Sequence, residues 1–125
     1  MSAPSAIDVA SVAALERRFG GLRRLHGDAA YERLRSARVA VVGLGGVGSW
    51  AAEALARCGV AELTLIDLDQ VSEGNINRQV QALGRTVGQS KALALSERIA
   101  DIHPGCVLRR NSCGMVVAST AGRAS

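Results

Sequence analysis

Ala40-Val41-Val42-Gly43-Leu44-Gly45-Gly46-Val47-Gly48-Ser49 is the stretch whose reading decides the fold of this chain. An apolar run enters glycines at G-x-G-x-x-G spacing (Gly43, Gly45, Gly48, with Gly46 between them), and a helix-forming segment follows at once. Such an arrangement builds an anion site. Glycines let the backbone approach a phosphate, and the helix N-terminus supplies N–H donors and the positive end of a dipole. By itself the motif says only that a nucleotide binds, most often a dinucleotide.

Working outward, residues 38–42 read as a strand and 47–57 as the helix that crosses over, with Gly59 as its left-handed terminator. Residues 62–66 read as a second strand, so 38–66 form a βαβ unit, a right-handed parallel crossover. The expected fold is therefore α/β, a Rossmann-like parallel sheet. Downstream lie a polar loop over 69–75 and a helix over 89–101, ended by His103-Pro104 because the residue before proline leaves the α region. Residues 106–110 are a candidate third strand. Upstream, 9–18 and 27–34 read as two short helices joined at Gly20-Gly21, with Asp28 as the N-cap of the second. Residues 1–8 are expected to be disordered, 9–110 to form the nucleotide-binding domain, and 111–125 to be a tail.

A chain of 125 residues allows one domain and one core, small for a complete doubly wound enzyme. Only 2% of it is aromatic (Phe19, Tyr31, Trp50), so the core must be built from Val, Leu, Ile and Ala. A formal charge of +4, with no run of Lys or Arg longer than two, fits an ordinary solvated surface with phosphate contacts and is compatible with RNA. Cys58, Cys106 and Cys113 form no C-x-x-C pair, which reads as a reducing, cytoplasmic compartment. Cys58 is read as a packing residue rather than a nucleophile. No apolar run reaches the ~18 residues of a membrane span, and no signal peptide is recognised.

The chemistry gathers after the second strand. Asp67 lies two dozen residues past Gly43, close to the ~20 expected for the carboxylate that takes the ribose hydroxyls; otherwise it merely begins a turn. The loop Asp67-Leu68-Asp69-Gln70-Val71-Ser72-Glu73-Gly74-Asn75-Ile76-Asn77-Arg78-Gln79 then holds more than a dehydrogenase needs. Arg78 forks two donors onto phosphate oxygens, and the amides of Asn75, Asn77 and Gln79 suit ribose or phosphate oxygens. Lys91 sits in a first helical turn, against the dipole, a placement that an anionic partner explains. Each cation alone also reads as an ordinary surface charge. Together, downstream of one glycine loop, they favour a triphosphate.

Gly43-Leu44-Gly45-Gly46-Val47-Gly48-Ser49, Asp67-Leu68-Asp69, Asn75-Ile76-Asn77-Arg78-Gln79 and Val87-Gly88-Gln89-Ser90-Lys91 resemble, in order and spacing, the HesA/MoeB/ThiF family, relatives of the ubiquitin-activating enzymes. Arg18-Phe19-Gly20-Gly21 and Gly48-Ser49-Trp50-Ala51-Ala52-Glu53-Ala54-Leu55-Ala56-Arg57 are most similar to its tRNA threonylcarbamoyladenosine dehydratase branch. The resemblance spans 18–107. It implies ATP-dependent adenylation of a carboxylate, carried by threonylcarbamoyladenosine in tRNA or by the C-terminal glycine of a ubiquitin-like sulfur-carrier protein. It further implies that Gly43, Gly45, Gly46 and Gly48 bound the nucleotide, that Asp67 holds the ribose, that Asn75, Arg78 and Lys91 bind phosphates, and that Asp69 and Gln79 belong to the same nucleotide site. Arg78 and Lys91 are then the catalytic cations. Mg2+ and a homodimer are implied as well.

Two departures stand out. Relatives carry an R-[FY]-x-R motif whose second arginine reaches the partner subunit's ATP; here that place is Gly21, leaving Arg18 as a weak candidate. The sequence from Arg110 onward is unlike the family, and a truncated or frame-shifted end is expected rather than a compact variant. The resemblance implies a further strand ending in an aspartate pair that helps hold magnesium, and that pair is expected to be missing here. Two other readings stay open: an NAD-dependent oxidoreductase using the same glycine loop, and an inactive nucleotide-binding fragment.

Overall fold

Among the described residues three parallel strands form the sheet, in spatial order β1-β2-β3: β1 Arg38–Val42, β2 Glu62–Ile66 and β3 Val107–Asn111. The structure, a computed structural model, describes residues 11–111; the expectations for 1–8, Cys113 and the tail from 112 onward lie outside them. Val39 pairs with Leu63 and Leu63 with Leu108, and the register runs on to Val42, Ile66 and Asn111. Asn111, assigned to the tail from sequence, is thus the last residue of β3. The sheet has the expected α/β, Rossmann-like order.

Helix α4 (Gly48–Arg57) connects β1 to β2, and α5 (Lys91–Ile102) connects β2 to β3. Both helices pack against β2, α4 reaching across to β1 and α5 to β3. Their small inward residues, Ala52 and Ala56 on α4 and Ala92 on α5, let the backbones come close, while Leu63, Leu65, Leu95 and Ile99 fill the space between. Central β2 is buried along its middle, as a strand covered by helices must be. The cluster on the sheet is aliphatic, as composition led one to expect, while Phe19 and Tyr31 are buried outside it. Cys106 packs into it, and burial pushes its thiol above the ordinary value, the environment of an inert cysteine.

Glu53, buried on α4, ties the helices together. Arg57 lies one turn on at 3.1 Å, and Arg98 of α5 pairs with the same carboxylate. Burial alone would raise the Glu53 pKa, but the hydrogen bonds from Arg98 and Arg57 outweigh it and hold the carboxyl below its usual range.

Upstream, the two expected helices are three: α1 Val12–Phe19, α2 Leu22–His26 and α3 Asp28–Ser36. Gly20 and Gly21 both keep right-handed helical backbone, so the chain re-enters a helix at Leu22 at once. Asp28 is the first residue of α3 and not its cap; Gly27 holds that place, at φ 85°. This cluster grips the end of the sheet away from the glycine loop. Phe19 meets the buried His103 ring edge-on at 4.7 Å, and Arg35 donates to the Gly59 carbonyl. Gly59 has the expected positive φ, 76°. Both strands flanking the glycine loop match their expected bounds. The second long helix starts at Lys91 because Ser90 caps it, accepting the Leu93 N–H at 3.0 Å.

Candidate functional site

The glycine loop leaves the carboxyl end of β1 and is shaped by two different demands. Gly43 stands at φ 88°, a backbone state that favours glycine, and its N–H still donates to Ile66 at 2.8 Å, prolonging the ladder. Gly48 answers a second demand, because a Cβ there would overlap the Gly43 carbonyl oxygen. The helix therefore starts pressed against the turn that precedes it. The N–H groups of Gly45, Gly46, Val47 and Gly48 have no acceptor among the described residues. Four donors at the head of a ten-residue helix make a positive surface.

Asp67 holds this loop in place. Its Oδ2 accepts the Leu44 N–H at 2.7 Å and its Oδ1 the Asp69 N–H at 2.7 Å. The carboxylate read from sequence as the ribose partner thus first serves the protein's own backbone. It retains lone pairs, since an ionised carboxylate has about four acceptor sites. On the other side of Leu44, Gln81, 1% exposed, donates from Nε2 to the Leu44 carbonyl at 3.0 Å. Ser49, fully buried, accepts the Val80 N–H through its hydroxyl.

The loop after Asp67 folds back over the glycines. A short 3-10 turn, Glu73–Asn75, is closed by Asn75, whose Oδ1 accepts the Ser72 N–H at 2.9 Å. That oxygen is spent on the turn; the amide NH2, the half that suits a phosphate oxygen, keeps its donors. The stem of Arg78 lies over Gly46, about 3.7 Å from where a Cβ would stand, and the Gln79 amide nitrogen lies 3.9 Å from the same point at Gly45. The Arg78 guanidinium rests on the Gly74 carbonyl at 3.0 Å and Asn77 Oδ1 at 2.9 Å. Trp50, in the first turn of α4, donates its indole N–H to the Arg78 carbonyl at 2.8 Å.

Lys91 opens α5 with its side chain 9% exposed, and Nζ stands 4.0 Å from Asp69 Oδ2. Its backbone N–H donates to the Asp69 carbonyl. A buried cation in a first helical turn opposes the dipole, and a counter-ion at 4.0 Å compensates it only loosely. The structure thus brings together Gly43, Gly45, Gly46, Gly48, Asp67, Asp69, Arg78, Gln79 and Lys91.

Arg18 is not part of this group. Its guanidinium donates to the Asp101 and Ile102 carbonyls at 2.9 and 3.0 Å, capping the C-terminus of α5. Lys91 is at the other end of that helix, roughly 16 Å away along the axis at 1.5 Å per residue. Among the described residues no group of three or more His, Cys, Asp or Glu converges. No helix among them is long and apolar enough to cross a membrane. Sequence reasoning missed Trp50, Gln81 and Ser49, all of which act on the site through contacts with distant backbone.

Comparison with known proteins gives consistent findings. The sequence model of the ThiF family matches residues 16–115. The tRNA threonylcarbamoyladenosine dehydratase of Haemophilus influenzae is 50% identical over 93 residues, 74% of this chain and 36% of that protein. The molybdopterin-synthase adenylyltransferase of Salmonella typhimurium is 48% identical over 73 residues, 58% of this chain and 29% of that one. Among solved structures, the E. coli tRNA N6-threonylcarbamoyladenosine dehydratase in complex with ATP superposes with a TM-score of 0.81 at 46% identity, over 91% of this chain and 46% of that one. The chain spans about a third of the curated relatives' length.

Proposed function

The chain belongs to the ThiF family, and from that premise we propose that it provides the ATP-binding part of an enzyme that adenylates a carboxylate. The observation that carries this reading is that Arg78 lies over Gly46 while Lys91 stands beside Asp69, whose N–H is held by the same Asp67 carboxylate that holds the glycine loop. A dinucleotide site needs only the loop and the ribose carboxylate. A triphosphate needs positive charge on its transferring and leaving groups.

In this reading the free N–H groups of Gly45 to Gly48 receive phosphate oxygens, and Asp67 and Asp69 take the ribose hydroxyls. Arg78 leaves its resting contacts on Gly74 and Asn77 for the phosphates, joined by the Asn75 NH2 and Gln79. A carboxylate oxygen of the substrate attacks the α-phosphorus, the bond to the bridging oxygen breaks, and pyrophosphate leaves with the electron pair. Arg78 and Lys91 stabilise the charge that accumulates on those oxygens. Bound Mg2+ would neutralise further phosphate charge, with ligands from outside the described residues. Pairing with a second copy belongs to the same proposal.

The substrate we favour is threonylcarbamoyladenosine in tRNA, whose activated acyl group then closes into a ring with loss of AMP. The H. influenzae dehydratase and the E. coli structure support that choice. A sulfur-carrier C-terminus is the second reading, favoured by the adenylyltransferase relative. Exchange of labelled pyrophosphate into ATP tests both. The proposal expects exchange that depends on threonylcarbamoyl-modified tRNA. Exchange that depends instead on a peptide ending in glycine selects the second reading, and none with either substrate overturns adenylation by this chain.

A further inference from the structure

Trp50 is the chain's sole tryptophan, and it stands half exposed, 52%, at the rim of the phosphate cradle. Its one polar atom is already used, because Nε1–H donates to the Arg78 carbonyl at 2.8 Å. That bond joins α4 to the loop carrying Arg78 and fixes the ring. What remains in solvent is apolar π surface, a costly thing to leave uncovered in a fixed position. It is not isolated. Val42, Val47, Leu68 and Ile76 are exposed too, and all four lie on segments that build the cradle. Val47 precedes Trp50 by three residues, the spacing that puts two side chains on one helix side. The segments that carry the phosphate-site residues thus also expose apolar side chains, with one hydrogen-bonded aromatic ring among them.

Whatever brings a carboxylate to a phosphorus held over Gly45 to Gly48 must pass its remaining bulk across that rim. A peptide tail ending in glycine is narrow and offers no flat face. A nucleobase splayed from a single-stranded loop does, and aromatic stacking is the usual way proteins hold such a base. We propose that Trp50 is the stacking platform for a base of the RNA substrate, and so selects RNA over a peptide. The inference rests on the tRNA reading above. The same indole also positions Arg78, so the two roles must be separated experimentally.

The test uses the 125-residue chain, an anticodon stem–loop RNA and the fluorescence of Trp50. RNA is expected to quench the indole beyond any change produced by ATP alone. Trp50→Phe and Trp50→Leu both remove the hydrogen bond to Arg78, so both share whatever that costs in ATP affinity. Only Trp50→Leu removes the π face, and it is expected to weaken RNA binding about tenfold relative to Trp50→Phe, the range of a lost base–aromatic stack. Equal RNA affinity in the two variants overturns the stacking role, and so does quenching complete with ATP or adenosine and unchanged by RNA. The wild-type quench is read without any variant, so a misfolded substitution does not obscure the answer. A wild-type chain that binds ATP but no RNA defeats the tRNA reading itself and this inference with it, an outcome distinct from RNA binding that ignores the ring.

Discussion

Asp67 Oδ2 and the Leu44 N–H, 23 residues apart in sequence, meet at 2.7 Å and lock the glycine loop to the end of β2. The second oxygen accepts the Asp69 N–H, so one side chain orders both loops that form the site. Removing it should therefore act on stability and on ligand binding together. Asp67→Ala is expected to lower unfolding free energy by about 1–3 kcal/mol, the cost of a buried donor left unpaired. Asp67→Asn, which keeps one acceptor oxygen, should lose less. Urea denaturation checks both.

Gly48 and Gly45 belong to one motif yet should respond differently to a methyl group. At Gly48 a Cβ overlaps the Gly43 carbonyl oxygen, and backbone has to move. At Gly45 the nearest atom is Gln79 Nε2 at 3.9 Å, ordinary contact. Gly48→Ala is expected to cost about 1–3 kcal/mol by overpacking and to abolish nucleotide binding. Gly45→Ala should fold with near wild-type stability. Thermal melts with and without ATP distinguish them.

His103 should make stability depend on pH. Burial lowers its pKa below the ordinary 6.5, the Arg35 and Arg18 cations add to that, and the hydrogen bond to the Val60 carbonyl opposes it. Its Nδ1 is buried without a partner. The unfolded chain takes up the proton first, so the native state is favoured fully above pH 6.5 and loses stability as pH falls from there toward the depressed folded value. The slope should not exceed about 1.4 kcal/mol per pH unit, that of one proton. His103→Asn should flatten this part of the profile when denaturation is followed between pH 7.5 and 5.

Legibility in the sequence tracked how local each determinant is. β1 and β2 were readable to the residue because short apolar runs end at Gly43 and at Asp67. Gly59 was readable because its positive φ is a one-residue requirement. α2 was missed: Leu22–His26 is a five-residue segment whose helix follows from Gly20 and Gly21 keeping helical backbone, a choice that glycine does not announce. Trp50 and Gln81 were missed for another reason. Their contacts reach 28 and 37 residues along the chain, and depend on how the 69–90 loop folds back over the glycines. The spacing of Asp67 pointed to a ribose partner, whereas its service to Leu44 follows from the strand register. Arg18 was proposed from a motif, and the contact that places it, on the last turn of α5, is 83 residues away.

The central claim is that this glycine loop, with Arg78 and Lys91, is an ATP site and not a dinucleotide site. Equilibrium binding of ATP and NAD to the 125-residue chain and to its Arg78→Ala and Lys91→Ala variants tests it most directly. The account predicts tighter binding of ATP than of NAD, and a loss of at least about tenfold in ATP affinity in each variant, the scale of a charge-assisted contact to phosphate. Tighter NAD than ATP, with neither variant changing the affinity, would contradict it.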